Sequence, residues 1–165
     1  MSAGTVNARV NLRVEVGGEV QLSRRIQGRI KAVSDWSPAF RKIAYDFKEG
    51  EERQFAAQGA FGGNPAWAPL SVKYAIWKEA HFPGAKILTR TGRLMETMTN
   101  PQVTVQPLML RISFKDYTVG RWFLPTLHQT GTTRGMPARK VINLTRAQRT
   151  RWTRYIRDLV FGEKD

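Results

Sequence analysis

The chain has 165 residues, 41% apolar and 10% aromatic, which suits a real core within a single domain spanning 1–165 and excludes wholesale disorder. It carries 27 basic against 13 acidic residues, a formal charge of +14, and no cysteine. Disulfides, thiolate nucleophiles and most zinc sites are therefore excluded, and polyanions or acidic protein surfaces become the natural partners. The longest uncharged run, 54–72, is broken by glycines and prolines, so no membrane span is expected. MSAGTVNARVNLRV lacks the apolar block of a secretory signal, and the chain reads as soluble and made in the cytoplasm.

Val6, Ala8, Val10, Leu12, Val14 and Val16 alternate with polar residues, which predicts a half-buried strand over 6–16, ended by Gly17-Gly18. Leu22, Ile26, Ile30 and Val33 then recur at helical spacing. Ser37-Pro38 predicts a second helix with a serine cap, ending near Gln58-Gly59. Its stripe is Phe40, Ile43, Ala44, Phe47 and Phe55, while the Lys-Glu-Gly-Glu-Glu stretch around Gly50 is expected to face water or mark a bend. GAFGGNPAWAP, 59–69, is a loop in which Phe61 and Trp67 have no stripe to join. Each either plugs its own domain or anchors a partner.

Ser71 to Ala80 predicts a short helix carrying Tyr74, Ile76 and Trp77, followed by a loop broken at Pro83-Gly84. Thr91 is the expected cap of another helix bearing Leu94, Met95 and Met98. Val103 and Val105, then Leu108, Leu110, Ile112 and Phe114, alternate on either side of Pro107 as an antiparallel hairpin. Thr145 and Gln148 have capping-box spacing before a last helix with an apolar stripe of Ala147, Trp152, Tyr155, Ile156, Leu159 and Val160. Its outward side carries Arg146, Arg149, Arg151, Arg154 and Arg157, positioned to meet phosphates or to remain a solvated cationic face. The fold class is α+β, an antiparallel sheet packed with helices and joined by long irregular loops.

Catalytic candidates are few. His81 and His128 have no metal-ligand spacing, and no metal or other cofactor is implied. Glu49, Glu51 and Glu52 read as a solvated helix face rather than a carboxylate pair. GTTRG, 131–135, has glycines but neither the Walker spacing nor its Lys-Ser/Thr ending.

Four segments in order carry more information. NPAWAPLS with Trp67, Pro69 and Leu70 comes first, then KILTRTGRLMETM with Leu88, Thr91, Gly92 and Leu94. LHQTG with His128, Gln129 and Gly131, and MPARKVINLT with Pro137, Ala138 and Arg139, complete the series. Over about residues 38–160 this order resembles the Mu-like phage virion morphogenesis family. Departures from its pattern are Leu124-Pro125, where the family usually has tyrosine-alanine, and Lys140, where it has proline.

The resemblance implies a non-enzymatic virion protein with a tail-terminator or neck-protein type of fold. It would complete the tail or join head to tail as a six-fold ring, touching the tail tube or terminator and the head connector. Non-specific contact with packaged DNA through Arg146, Arg149, Arg154 and Arg157 is the accompanying expectation, and sequence-independent nucleic-acid binding is the alternative function. The expected subunit or partner interface comprises Phe61, Trp67, His128, Gln129, Thr132, Arg134, Met136 and Arg139. Within it, His128 and Gln129 are expected to bond local backbone while the tip 132–136 reaches a neighbour.

Overall fold

The computed structural model describes residues 19–115, 118–119 and 122–162; the alternating segment 6–16 lies outside them. Among the described residues the elements run α1 (Glu19–Ser34), α2 (Ser37–Ala56), α3 (Val72–His81), α4 (Arg93–Thr99), β1 (Gln102–Gln106) and β2 (Met109–Ser113). They continue as β3 (Thr118–Val119), β4 (Trp122–Phe123), α5 (Leu124–Thr130) and α6 (Arg146–Phe161). The fold is α+β. β1 and β2 pair antiparallel, with Val103 opposite Ile112 and Val105 opposite Leu110, and β3 pairs with β4 in a second short ribbon that periodicity over two-residue strands could not announce.

α2 is the central element, packing against α6, α4 and the β1–β2 hairpin. It starts at the serine-proline pair, but Ser37 is already helical. The capping oxygen comes from Asp35, whose Oδ1 accepts the Ser37 N–H at 2.9 Å. The expectation that the stretch around Gly50 faces water is overturned, because Asp46, Gly50, Glu51 and Gln54 are all buried with Ile43, Phe47 and Phe55. α6 crosses α2 here, so closely that a Cβ on Gly50 would stand 2.1 Å from Gln148 Nε2. Only Glu49 and Glu52 of the three glutamates keep solvent contact, Glu49 in a 3.5 Å pair with Arg53.

α6 begins in the capping box foreseen: Thr145 Oγ1 accepts from Gln148 N at 3.1 Å and Gln148 Oε1 from Thr145 N at 2.9 Å. Its inward face differs in two places. Ala147 is exposed, and the buried residue of the first turn is Gln148. Arg151, expected outside, turns inward to Asp46, whose Oδ1 accepts from its Nε at 3.0 Å and Nη2 at 2.6 Å. The other Asp46 oxygen takes the Trp152 indole N–H at 2.6 Å. One aspartate thus ties α2 to α6 through three charge-assisted bonds.

The main core cluster joins Phe55, Trp67, Leu94, Met98 and Val141, flanked by Ile87, Leu88, Phe114 and Ile142. Trp67 is the plug of its own domain rather than an exposed anchor. Its ring meets Phe55 edge-on at 5.1 Å, and its indole N–H donates to the Lys140 carbonyl at 2.9 Å. Gln58, outside every stripe, ties three segments together: its carbonyl accepts from Trp67 N at 2.8 Å and its Oε1 from Ile87 N at 2.7 Å. Two helices leave apolar side chains uncovered. Ile26, Ile30 and Val33 of α1 are exposed, as are Val72 and Ile76 of α3, where Lys78 is the buried residue.

Candidate functional site

The polypeptide between α5 and α6 folds back on the cleft it helps to form. Leu124–Thr130 is a helix, with Pro125 in its first turn and nothing to interrupt it until Gly131. Gly131 ends it at φ +75°, and a Cβ there would come within 2.8 Å of the Met136 carbonyl and 2.9 Å of Ala138 N. The backbone then closes on itself: Thr132 N donates to the Met136 carbonyl at 2.9 Å, Gly135 N to the Thr132 carbonyl at 3.2 Å, and Met136 N to Thr132 Oγ1 at 3.2 Å. Arg139 N reaches back to the His128 carbonyl at 2.6 Å.

Gln129 bonds local backbone as anticipated, clamping Ile142 by donating from Nε2 to its carbonyl at 2.9 Å and accepting its N–H on Oε1 at 3.0 Å. His128 does so only through its own carbonyl; its buried Nδ1 has no partner among the described residues. Burial, reinforced by the nearby Arg139 charge, holds the imidazole down to about 4, so it is neutral at physiological pH. A ring held so low binds an abstracted proton only weakly, which makes it a feeble general base at neutral pH.

His128, Arg134, Met136 and Arg139 converge on one cleft of about 560 Å³ with Leu70, Leu88, Thr91, Leu94 and Pro137. All four ordered segments of the sequence thus contribute to one wall or another, although they are far apart in the chain. Leu88 stands at φ +62°, an αL position that a non-glycine residue holds only at a cost of about 1 kcal/mol or more. Arg139 is 5% exposed. Its Nε donates to the Ala68 carbonyl at 2.7 Å and its Nη2 to the Pro69 carbonyl at 2.8 Å, fastening the tryptophan loop to the cleft floor. Burial weakens its hold on its proton.

Two cations that the sequence did not single out complete the cleft. Lys78 is buried, with its Nζ donating to the Lys86 carbonyl and burial lowering its pKa. Arg90 lies over the rings of Trp77 and Phe82, 6.0 and 5.6 Å from their centroids. A short helix with two lysines, Lys73 and Lys78, around Tyr74, Ile76 and Trp77 gave no sign that Lys78 was the inward residue.

The remaining interface candidates sit elsewhere. Phe61 is half-buried in the turn closed by Asn64 N on its carbonyl at 3.1 Å, and neither it nor Trp67 lines the cleft. Arg146, Arg149, Arg154 and Arg157 are exposed on α6, Arg149 bonded to the Leu144 carbonyl at 3.1 Å and Arg157 paired with Asp158 at 3.3 Å. Trp77 is stacked with Tyr74 and His81 at 5.5 and 4.7 Å, within its own helix. Among the described residues no cluster of three or more His, Asp or Glu could hold a metal, and no helix is long and apolar enough to cross a membrane.

Fold and cleft define a class: an α+β protein whose motif residues shape backbone and line a largely apolar cleft that carries four cations. The model of the phage virion morphogenesis family matches residues 19–160, and the chain belongs to that family. Its role is accordingly in the structure and assembly of a phage virion. The match also takes in α1, which the four ordered segments left out. No curated protein and no solved structure matches the chain.

Proposed function

We propose that the chain is a tail-completion or neck subunit of a tailed phage, acting without catalysis by closing the tail end and docking the head connector. It works as a homo-oligomeric ring of six, assembled in the host cytoplasm and carried at the tail end or neck of the virion. The observation that carries this reading is the convergence of the four family segments on a cleft built from backbone-shaping residues and a fixed arginine. The uncovered stripe of Ile26, Ile30 and Val33 on α1 supports it, because a closed ring needs an apolar patch that a neighbour covers.

Native mass spectrometry with negative-stain imaging tests it. A ring that binds purified tails is the expected result, and a chain that stays monomeric and never joins tails removes the reading. The exposed arginines of α6 favour one second reading, sequence-independent DNA binding. It predicts tight binding at low salt that falls steeply as salt rises, and it fails if low salt gives no binding.

A further inference from the structure

Arg139 presents an unusual electrostatic situation. A guanidinium 5% exposed is normally matched by a carboxylate, since an uncompensated buried charge is strongly destabilising. Its two side-chain bonds go to neutral carbonyls, and among the described residues no carboxylate lies within ion-pair distance. Its Nη1 bonds to nothing among those residues, yet the side chain lines the cleft. At the rim, Arg134 is exposed and makes no hydrogen bond or ion pair among them either. Among the described residues the cleft is lined by four cations and by no aspartate or glutamate. The rest of the wall is mainly apolar, built on Leu70, Leu88, Leu124, Met136 and the two prolines 69 and 137, with Ser71, Tyr74, Thr91 and His128 as its uncharged polar members.

We propose that this cleft is a receptor for a carboxylate carried beside an apolar side chain, supplied by an acidic peptide segment of a partner virion protein. Arg139 Nη1 and Arg134 meet the carboxylate, and the leucine, methionine and proline walls take the neighbouring apolar group. A peptide fits the lining better than nucleic acid, because a phosphate backbone has no apolar group to offer those walls. A different protein fits better than a second copy, because this chain carries 27 basic against 13 acidic residues and would bring mostly like charge. The proposal deepens the assembly reading above and rests on it for the identity of the partner's class.

The test is an NMR titration of the full chain with the blocked peptide acetyl-Leu-Asp-Leu-amide, its Asn counterpart, and a short oligothymidylate. Shifts should centre on amides of 131–139 and 88–91, with the Asp peptide at least about tenfold tighter than the Asn peptide, as a charge-assisted pair requires. Arg134→Ala, at an exposed side chain, should reduce that preference, and Arg139→Gln should abolish it. Should Arg139→Gln fail to fold for want of its Ala68 and Pro69 bonds, Arg139→Lys keeps the charge without the fork and should still weaken the preference.

Equal binding of the Asp and Asn peptides, no cleft shifts up to about 10 mM peptide, or tighter binding of the oligonucleotide would each overturn the proposal. So would loss of self-association in Arg134→Glu, which would make the cleft an interface between copies. Native mass spectrometry on the same samples separates the two readings. A ring that ignores the peptide removes the receptor alone; a chain that binds the peptide but never joins tails removes the assembly role alone.

Discussion

Glu51→Gln gives the sharpest test of the structure. Glu51 is 3% exposed at the α2–α6 crossing, and burial raises its carboxyl from 4.5 to about 8. Its Oε2 and the Oε1 of Gln54, one helical turn on, are buried acceptors without a partner among the described residues. A protonated Glu51 offers the donor this neighbourhood lacks. The sign follows from proton linkage. Between 4.5 and 8 the folded chain holds this proton and the unfolded chain does not, so stability falls as pH rises, by about 1.4 kcal/mol per pH unit.

His128 acts oppositely, but only below 6.5. Its folded value of about 4 means that the unfolded chain gains the proton first as pH falls, so stability drops toward acid through that window. The two slopes oppose each other from 4.5 to 6.5, and Glu51 alone governs 6.5 to 8, an interval worth about 2 kcal/mol. Urea unfolding at half-unit steps from pH 5 to 9 should therefore show a plateau, then a loss of about 2 kcal/mol up to pH 8. Glu51→Gln should lack that loss and gain stability from pH 5 to 6.5. An identical decline above 6.5 in the variant would refute the assignment, as would a wild type that grows more stable toward pH 8.

Asp46→Asn should lower stability by about 2–4 kcal/mol, because Arg151 loses its partly buried counter-charge; thermal unfolding measures it. Gly131→Ala should cost about 2 kcal/mol or more in urea unfolding, since strain in the glycine-only region at φ +75° and ψ −171° adds to a Cβ within 2.8 Å of a carbonyl oxygen. Trp67→Leu should destabilise by about 2–3 kcal/mol without changing ring stoichiometry in native mass spectrometry, because its indole is spent inside the subunit. Ile30→Asp should leave thermal stability within about 0.5 kcal/mol but weaken ring formation, since that side chain is 62% exposed.

How much of this was readable depended on whether one element's periodicity or the meeting of several decided the outcome. The α6 capping box is a local signal, four residues long, and was legible in full. The hairpin was equally so, because alternation on both sides of Pro107 fixes its register. Glu51 was misjudged because side-chain polarity was read as exposure, and Asp46 and Gln54 were passed over for the same reason. Their spacing points the other way: 39, 43, 46, 47, 50, 51, 54 and 55 form one continuous helical stripe if polarity is ignored. The cleft was legible as an ordered set of segments but not as a place. Its floor depends on Arg139 bonding a loop some seventy residues earlier, which no period encodes.

The unfavourable local choices in this chain are not scattered. The α2–α6 seam answers some of its buried polar groups, Asp46 by three donors and Gln148 by its capping box, and leaves Glu51 Oε2 and Gln54 Oε1 for a proton on Glu51 to serve. The cleft adds a cation to such features: Leu88 stands in the left-handed region, His128 has an orphaned nitrogen, and Arg139 has no counter-charge among the described residues. A fold selected only for stability would remove such features, since each is costly and none helps its own element to form. Their concentration where the family segments meet argues that the cleft is maintained for something outside the subunit. The energetic signature is an unanswered positive charge in an apolar wall, so a partner that answers it should stabilise the chain on binding. Thermal unfolding with and without an acidic peptide reads that directly: a rise in Tm with the Asp peptide and none with the Asn peptide is the result this argument requires.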